Sequence, residues 1–168
     1  MNLMEAVQSV LSQYFGFRGR ARRSEYWFWI LATILFGIFA ALIDMALGIS
    51  FARPGPVSSL LNLLLFIPGL AVSFRRLHDI GKSGWWIGGF YLAIVIFVIV
   101  IFILALLVVA GGRDGEVETN LGYLVIIGVL GMMLYSIVLL IFFCQNSQVG
   151  PNNYGPNPKN EGNYDVFE

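Results

Sequence analysis

The sequence predicts an all-α integral membrane protein with four transmembrane helices, and three observations support this. Hydrophobic residues make up 58% of the 168-residue chain and charged residues 12%, about half the share of a soluble domain. Four apolar runs, at about 26–48, 57–74, 85–110 and 121–144, are long enough to cross a hydrocarbon core of about 30 Å as helices. Basic residues are concentrated in alternate connections between those runs.

An N-terminal helix over residues 1–15 is the first predicted element. Its apolar residues recur at three- and four-residue steps, which is typical of an amphipathic helix that lies along a membrane surface. These residues are Leu3, Val7, Val10, Leu11 and Tyr14. A disordered tail is the alternative.

The four spans differ in how plainly the sequence marks them. The first contains one acid, Asp44, and the second contains Pro68, so a re-entrant segment is the alternative to a full crossing there. The third and fourth runs contain no charged residue. Residues 145–168 form a tail with Gly-Pro-Asn turns, and the whole chain, 1–168, is predicted to be a single membrane domain.

The orientation follows from the positions of lysine and arginine in short connections. Eight of the ten basic residues precede the first span, join the second to the third, or follow the fourth. Arg53 and Arg113 are the two in the other connections, and acids surround Arg113. Both termini are therefore predicted to be cytoplasmic.

Composition also excludes several classes of function. Ten basic and ten acidic residues cancel, so no global positive field favours nucleic acid. With one cysteine, Cys144, and one histidine, His78, the chain cannot assemble a Cys/His zinc site. No metal and no cofactor are expected.

Three polar segments, 15–27, 75–86 and 150–158, fall on the predicted cytoplasmic side. Because four antiparallel spans bring both termini and the central connection to the same face, these segments are expected to meet on one surface. Guanidinium groups there match the oxygens of a phosphate or carboxylate. The candidate residues for binding an anion or a partner are Arg18, Arg20, Arg22, Arg23, Glu25, Arg75, Arg76, His78, Asp79, Lys82, Trp85, Trp86 and Tyr154.

A purely structural role for these charges is the alternative. Arginines beside a first span set topology, Glu25 is expected to pair with Arg22 and Arg23, and Arg75 or Arg76 is a candidate partner for Asp79.

Local signals predict how the three polar segments fold. A left-handed turn is expected at Gly81, and a docked Tyr154 is expected to order the tail. Ser24 and Ser83 are candidate helix caps for the first and third spans.

Taken together, these segments resemble the domain-of-unknown-function 805 family of small bacterial inner-membrane proteins. The resemblance rests on residues 19–27, on the run from Arg76 through Trp86, and on the Asn- and Tyr-containing turn from Gly150 to Gly155. It covers nearly the whole chain. The family implies a multi-span inner-membrane protein and no activity or ligand that transfers to particular residues.

The leading hypothesis is a non-enzymatic membrane protein whose cytoplasmic face binds anionic lipid headgroups or a protein partner, with a homo-oligomer also possible. Transport of a small solute or ion by an oligomer is the alternative, with the intramembrane polar residues Asp44 and Asn62 near the path. A membrane enzyme acting on a lipid phosphate, with His78 as base beside Asp79, is a second alternative.

Overall fold

The computed structural model describes residues 1–50, 53–111 and 115–160, with the backbone alone at 111 and 115–118. These residues form five α-helices: α1 (Leu3–Ser12), α2 (Arg23–Ala46), α3 (Pro56–Asp79), α4 (Trp85–Gly111) and α5 (Gly115–Cys144). Part of the acidic connection around Arg113 and the tail end, 161–168, lie outside the described residues.

Helices α2 to α5 are each long and apolar enough to cross a membrane, which confirms the all-helical prediction with four candidate spans. The predicted spans are shorter than the helices that contain or overlap them. The start of α2 lies at Arg23, and its N-cap residue, Arg22, has no side-chain cap, so the prediction that Ser24 caps this helix is wrong. Ser24 lies in the first turn of the helix instead.

Helix α3 runs unbroken from Pro56 to Asp79, so the predicted end at residue 74 is wrong. The charged residues from Arg75 on continue the helix, because arginine is a good helix former and nothing breaks the backbone there. The chain leaves the helix at Gly81, two residues after Asp79, and the φ of +73° at Gly81 confirms the predicted left-handed turn. The amides of Gly81 and Lys82 donate to the carbonyls of His78 and Leu77, the pattern of a Schellman cap.

Pro68 lies inside α3 without ending the helix, because a residue from outside the helix compensates for it. Proline has no amide hydrogen, so the carbonyl of Leu64, four residues earlier, loses its helical donor. The hydroxyl of Tyr14 donates a hydrogen bond to that carbonyl. The helix is therefore about 36 Å long, enough to cross a hydrocarbon core.

The described chain divides into two compact units. One comprises Met1–Gly84 and the segment from Phe143 on, and its α1 packs against both α2 and α3. The packing is close because small residues face large ones: Trp29 is buried, and its indole nitrogen lies 3.4 Å from where a Cβ on Gly69 would be. Ala6 and Val10 of α1 are fully buried in this core.

The second unit, Trp85–Phe142, contains α4 and most of α5. Gly128 lies directly against the ring of Phe97, where a Cβ would come within 2.1 Å of the ring. The hydroxyl of Tyr135 donates to the carbonyl of Trp86 at 2.8 Å. An apolar cavity of about 510 Å³ lies along Phe90, Phe97 and Tyr135.

Asp44 joins the C-terminal end of α2 to the N-terminal end of α3. Its buried carboxylate accepts hydrogen bonds from the Val57 amide at 3.0 Å, the Ser58 amide at 2.9 Å and the Ser58 hydroxyl at 2.6 Å. The residue at the N-cap of α3, Gly55, has no side chain to do this. Asp44 therefore caps α3 from the neighbouring helix and satisfies amides that the helix leaves unpaired.

Candidate anion-binding site

The three polar segments meet in the first unit. The amide of Ala21 donates to the carbonyl of Arg75 at 3.0 Å, which joins the first segment to the second. The amide of Gln148 donates to the carbonyl of Asp79 at 3.0 Å, which joins the tail to the second segment. The residues from 19 to 27, 75 to 81 and 143 to 159 thus form one connected polar surface at the C-terminal end of α3.

Asp79 lies at the centre of this surface and is completely buried. Arg20 donates from Nε to one carboxylate oxygen at 3.0 Å, and Arg76 donates from a terminal nitrogen to the other at 2.5 Å. The two guanidinium groups carry one charge more than the carboxylate neutralises. A buried charge needs both an ionic partner and a full set of hydrogen bonds to be tolerated.

Backbone carbonyls supply the remaining hydrogen bonds of the two arginines. Arg20 donates to the carbonyls of Gln148 at 2.6 Å and Gly150 at 2.7 Å, and so holds the tail in place. Arg76 donates to the carbonyls of Phe143, at 3.2 Å, and Gln145, at the C-terminal end of α5. A cation is favourable there because the last carbonyls of a helix carry partial negative charge.

Glu25 pairs with Arg75 at 3.1 Å, and both side chains are buried. The expectation that Glu25 pairs with Arg22 and Arg23 is therefore wrong. A partner fifty residues away replaces the sequence neighbours because α2 packs against α3, which brings Arg75 beside Glu25. The hydroxyl of Ser9 in α1 also donates to Glu25 at 3.1 Å, so α1 takes part in holding this ion pair.

His78 points in a different direction from Asp79, since consecutive residues on a helix point about 100° apart. Its ring stacks on that of Tyr154, with centroids 3.9 Å apart and planes 3° from parallel, so Tyr154 does dock the tail as predicted. The Nδ1 atom lies 3.2 Å from the carbonyl oxygen of Gly19. The two oxygens of Asp79 accept from Arg20 and Arg76, and the structure shows no hydrogen bond between His78 and Asp79, the pair that the enzyme alternative requires.

A second set of cations lines a cavity of about 550 Å³ beside the N-terminal end of α2. Its lining residues are Arg22, Arg23, Ser24, Trp27, Cys144 and Lys159, and we call it the cationic cavity. Arg22 and Arg23 donate to the carbonyls of Pro158 and Cys144, which are neutral groups. Among the described residues no carboxylate lies within ion-pair distance of these three cations.

Arg22 and Arg23 are among the candidates predicted from the sequence, whereas Lys159 is not. Nothing in the sequence near Lys159 indicates its position, because the docking of Tyr154 and the hydrogen bonds to Arg20 return the tail to α2. Trp27 and Ser24 are also missed as lining residues. Trp27 is 38% exposed, and tryptophan is favoured at the headgroup level of a membrane.

The other candidate residues lie elsewhere. Arg18 is exposed, and no ion pair of its side chain is found within the described part of the chain. Lys82 belongs to the cap of α3, while Trp85 and Trp86 begin α4 in the second unit. Asn62 lies exposed on α3. In the described part of the chain no hydrogen bond joins it to Asp44.

These features define a class: a helical protein with four potential membrane spans, whose polar segments form a buried arginine-carboxylate framework with a cationic cavity at its edge. The family comparison agrees with this class. Residues 14–156 match the model of the family described as "Protein of unknown function (DUF805)", and the chain belongs to that family, which confirms the resemblance.

Two relatives from Escherichia coli (strain K12) are similar over nearly their whole length. Inner membrane protein YhaH is 35% identical over 159 residues, covering 94% of this chain and 99% of the relative. Inner membrane protein YhaI is 35% identical over 157 residues, covering 93% and 97%. No solved structure matches the chain.

Proposed function

We propose that this chain is an inner-membrane protein with four crossings and cytoplasmic termini, and that its cationic cavity binds the headgroup of an anionic phospholipid. The names of the relatives, the four apolar helices and the excess of basic residues in alternate connections support the membrane placement. The observation that carries the binding proposal is the convergence of Arg22, Arg23 and Lys159 on one cavity, with no carboxylate of the described residues within ion-pair distance of them.

The contrast between the two sets of cations supports this choice of binding residues. Arg20, Arg75 and Arg76 are buried and directed at Asp79 and Glu25, so they have the contacts of a framework that holds the segments together. Arg22, Arg23 and Lys159 are half-buried, and their charged groups face a space that is open to a ligand. A phosphate oxygen is a strong acceptor for such donors.

The surroundings favour a lipid over a protein as the ligand. The cavity lies at the end of an apolar helix, where a span begins and where the phosphates of a bilayer are expected. Trp27 adds an aromatic wall of the kind found at the membrane interface. Clusters of arginine and lysine next to a span gain roughly 1 kcal/mol per residue from an anionic membrane surface.

Native mass spectrometry of protein extracted with minimal delipidation tests the proposal. The variant Arg22→Gln/Arg23→Gln/Lys159→Gln removes the charge of the cavity but retains the framework. Arg53→Gln is the control, since it removes a cation in the connection between α2 and α3. We expect the wild type and the control to retain phosphatidylglycerol or cardiolipin. The triple variant should retain at least about tenfold less of that lipid per protein, because it lacks three headgroup contacts.

Two results would overturn the proposal. One is equal retention of anionic phospholipid by the wild type, the triple variant and Arg53→Gln. The other is a protein retained by the wild type and lost from the triple variant while the lipid content stays the same, since the cavity would then bind a protein.

A further inference from the structure

The connection between α1 and α2 begins beside the middle of α3 and runs along that helix to the polar surface. Tyr14 bonds to the carbonyl of Leu64, whereas Phe17 packs against Phe74, with ring centroids 5.4 Å apart, and Arg20 reaches Asp79. From residue 14 to residue 20 the chain therefore runs from the middle of α3 back to its C-terminal end.

The position of Leu64 on α3 gives the depth of the Tyr14 hydroxyl below the end of the apolar run. Leu64 lies eleven residues before Arg75, where the apolar run ends, and a helix rises 1.5 Å per residue, so the separation is about 16 Å. Even a helix tilted by about 30° retains roughly 14 Å of this depth. One leaflet of the hydrocarbon core is only about 15 Å thick. The hydroxyl of Tyr14 is thus placed close to the middle of the bilayer if α3 crosses it.

Phe15 lies beside Tyr14 and points outward. The two ring centroids are 4.7 Å apart, and Phe15 is 74% exposed. Met4, 75% exposed, and Leu11, 42% exposed, are seven residues apart in α1 and so lie on the same side of that helix, which adds exposed apolar surface to the same segment. The α3 residues at this level are also exposed and apolar, as Leu63 shows at 70%, so the apolar surface is continuous with that of a span.

Three backbone amides of the turn are bonded within the turn or to the end of α1, which lowers the cost of an apolar environment. The amide of Gln13 donates to the carbonyl of Val10 at 3.3 Å, that of Gly16 to Gln13 at 2.8 Å, and that of Phe17 to Phe15 at 3.2 Å. Backbone inside a bilayer has to satisfy its polar groups within the protein.

We infer that residues 11–17 form a wedge inserted among the acyl chains of the cytoplasmic leaflet, anchored by the Tyr14 bond to Leu64 and tipped by Phe15. This differs from a helix lying on the membrane surface, because the tip lies below the headgroups. The ligand of this surface is the acyl region of the bilayer. The exposed Arg18 follows three residues later, which returns the chain to the level of the headgroups.

Spin labels measure the depth directly. In a Cys144→Ser background, single cysteines at Phe15, Leu63 and Asn153 are labelled with a nitroxide and reconstituted into phosphatidylethanolamine–phosphatidylglycerol vesicles. Collision with oxygen reports acyl surroundings, and collision with a nickel chelate reports water. We expect the oxygen-to-nickel ratio at Phe15 to lie within about twofold of that at Leu63 and at least about tenfold above that at exposed Asn153, as for a buried wedge. A ratio at Phe15 equal to that at Asn153 would overturn the inference.

Wild-type protein provides a second measurement that does not depend on a variant folding. A photoreactive diazirine carried at the end of a phospholipid acyl chain is activated in the same vesicles, and the labelled peptides are identified by mass spectrometry. We expect labels in residues 11–17 as well as in the exposed part of α3 around Leu63. Labelling of α3 without any labelling of 11–17, or labelling of 11–17 from a headgroup-borne diazirine alone, would contradict the wedge.

Discussion

Replacing Asp79 by asparagine should destabilise the protein more than any surface change can. Asparagine keeps the shape of the side chain but removes the negative charge, which leaves Arg20 and Arg76 without an ionic partner in the framework. Asp79 is 0% exposed, and its two ion pairs span 3.0 and 2.5 Å. Removing one partner of a buried pair costs about 3–5 kcal/mol, whereas losing an exposed pair costs about 0–1 kcal/mol.

A double-mutant cycle with Arg20→Gln tests whether this loss comes from the ion pair. The free energy of unfolding is measured by denaturant titration in detergent micelles and followed by tryptophan fluorescence. We expect Asp79→Asn/Arg20→Gln to be less destabilised than the sum of the two single variants, by about 1.5–3 kcal/mol, because the second change removes a charge that the first left unpaired. A loss below about 0.5 kcal/mol for Asp79→Asn alone would refute the reasoning, since that is the range of ordinary surface substitutions.

Three further predictions concern other contacts of the first unit. Gly55→Ala places a Cβ 2.1 Å from the carboxylate carbon of Asp44 and should lower the unfolding free energy by about 1–3 kcal/mol through strain and a lost helix cap. Gly37→Ala inside α2, with no atom within 4 Å of its Cβ, should not destabilise the protein in the same titration and should stabilise it by up to about 1 kcal/mol. Tyr14→Phe should cost about 1–3 kcal/mol, since it removes the donor to a carbonyl that Pro68 leaves unpaired, and an unchanged unfolding midpoint would contradict this. Tyr154→Ala should speed limited proteolysis of the tail severalfold while Tyr154→Phe should not, because phenylalanine keeps the stacked ring; equal rates for both would show that stacking does not hold the tail.

The spans were predictable from the sequence because a bilayer imposes a simple requirement on composition. Twenty or so consecutive apolar residues leave few alternatives to a crossing helix. The turn at Gly81 was predictable for a similar reason, since glycine adopts a positive φ at little cost. Both signals are local, so they can be read without knowing what packs against them.

The predicted end of α3 is too early because the apolar run ends at Phe74 whereas the helix does not. Arg75 and Arg76 end the apolar run, yet they continue the helix, which stops only at its Schellman cap. The partner of Glu25 was mispredicted for a different reason. Arg75 is fifty residues away, and only the packing of α2 on α3 shows that it is closer than the neighbouring arginines.

The cationic cavity could be predicted only in part. Arg22 and Arg23 stand out in a basic cluster, but the sequence does not distinguish them from Arg20, which the structure buries against Asp79. Lys159 joins them through a tail that is held by a ring stack and by carbonyl hydrogen bonds. Contacts of this kind have no sequence period, so the sequence indicated the surface without showing which cations remain available.

Direct titration of the protein with short-chain phosphatidylglycerol tests the central claim of headgroup binding most directly. Native mass spectrometry in a neutral detergent gives the dissociation constant for the wild type, for Arg22→Gln/Arg23→Gln/Lys159→Gln and for Arg53→Gln, with short-chain phosphatidylcholine as the zwitterionic comparison. Headgroup binding predicts that the wild type and Arg53→Gln bind phosphatidylglycerol at least about tenfold more tightly than phosphatidylcholine, and that the triple variant loses this preference. Equal affinities for both lipids in the wild type, or an unchanged preference in the triple variant, would contradict it.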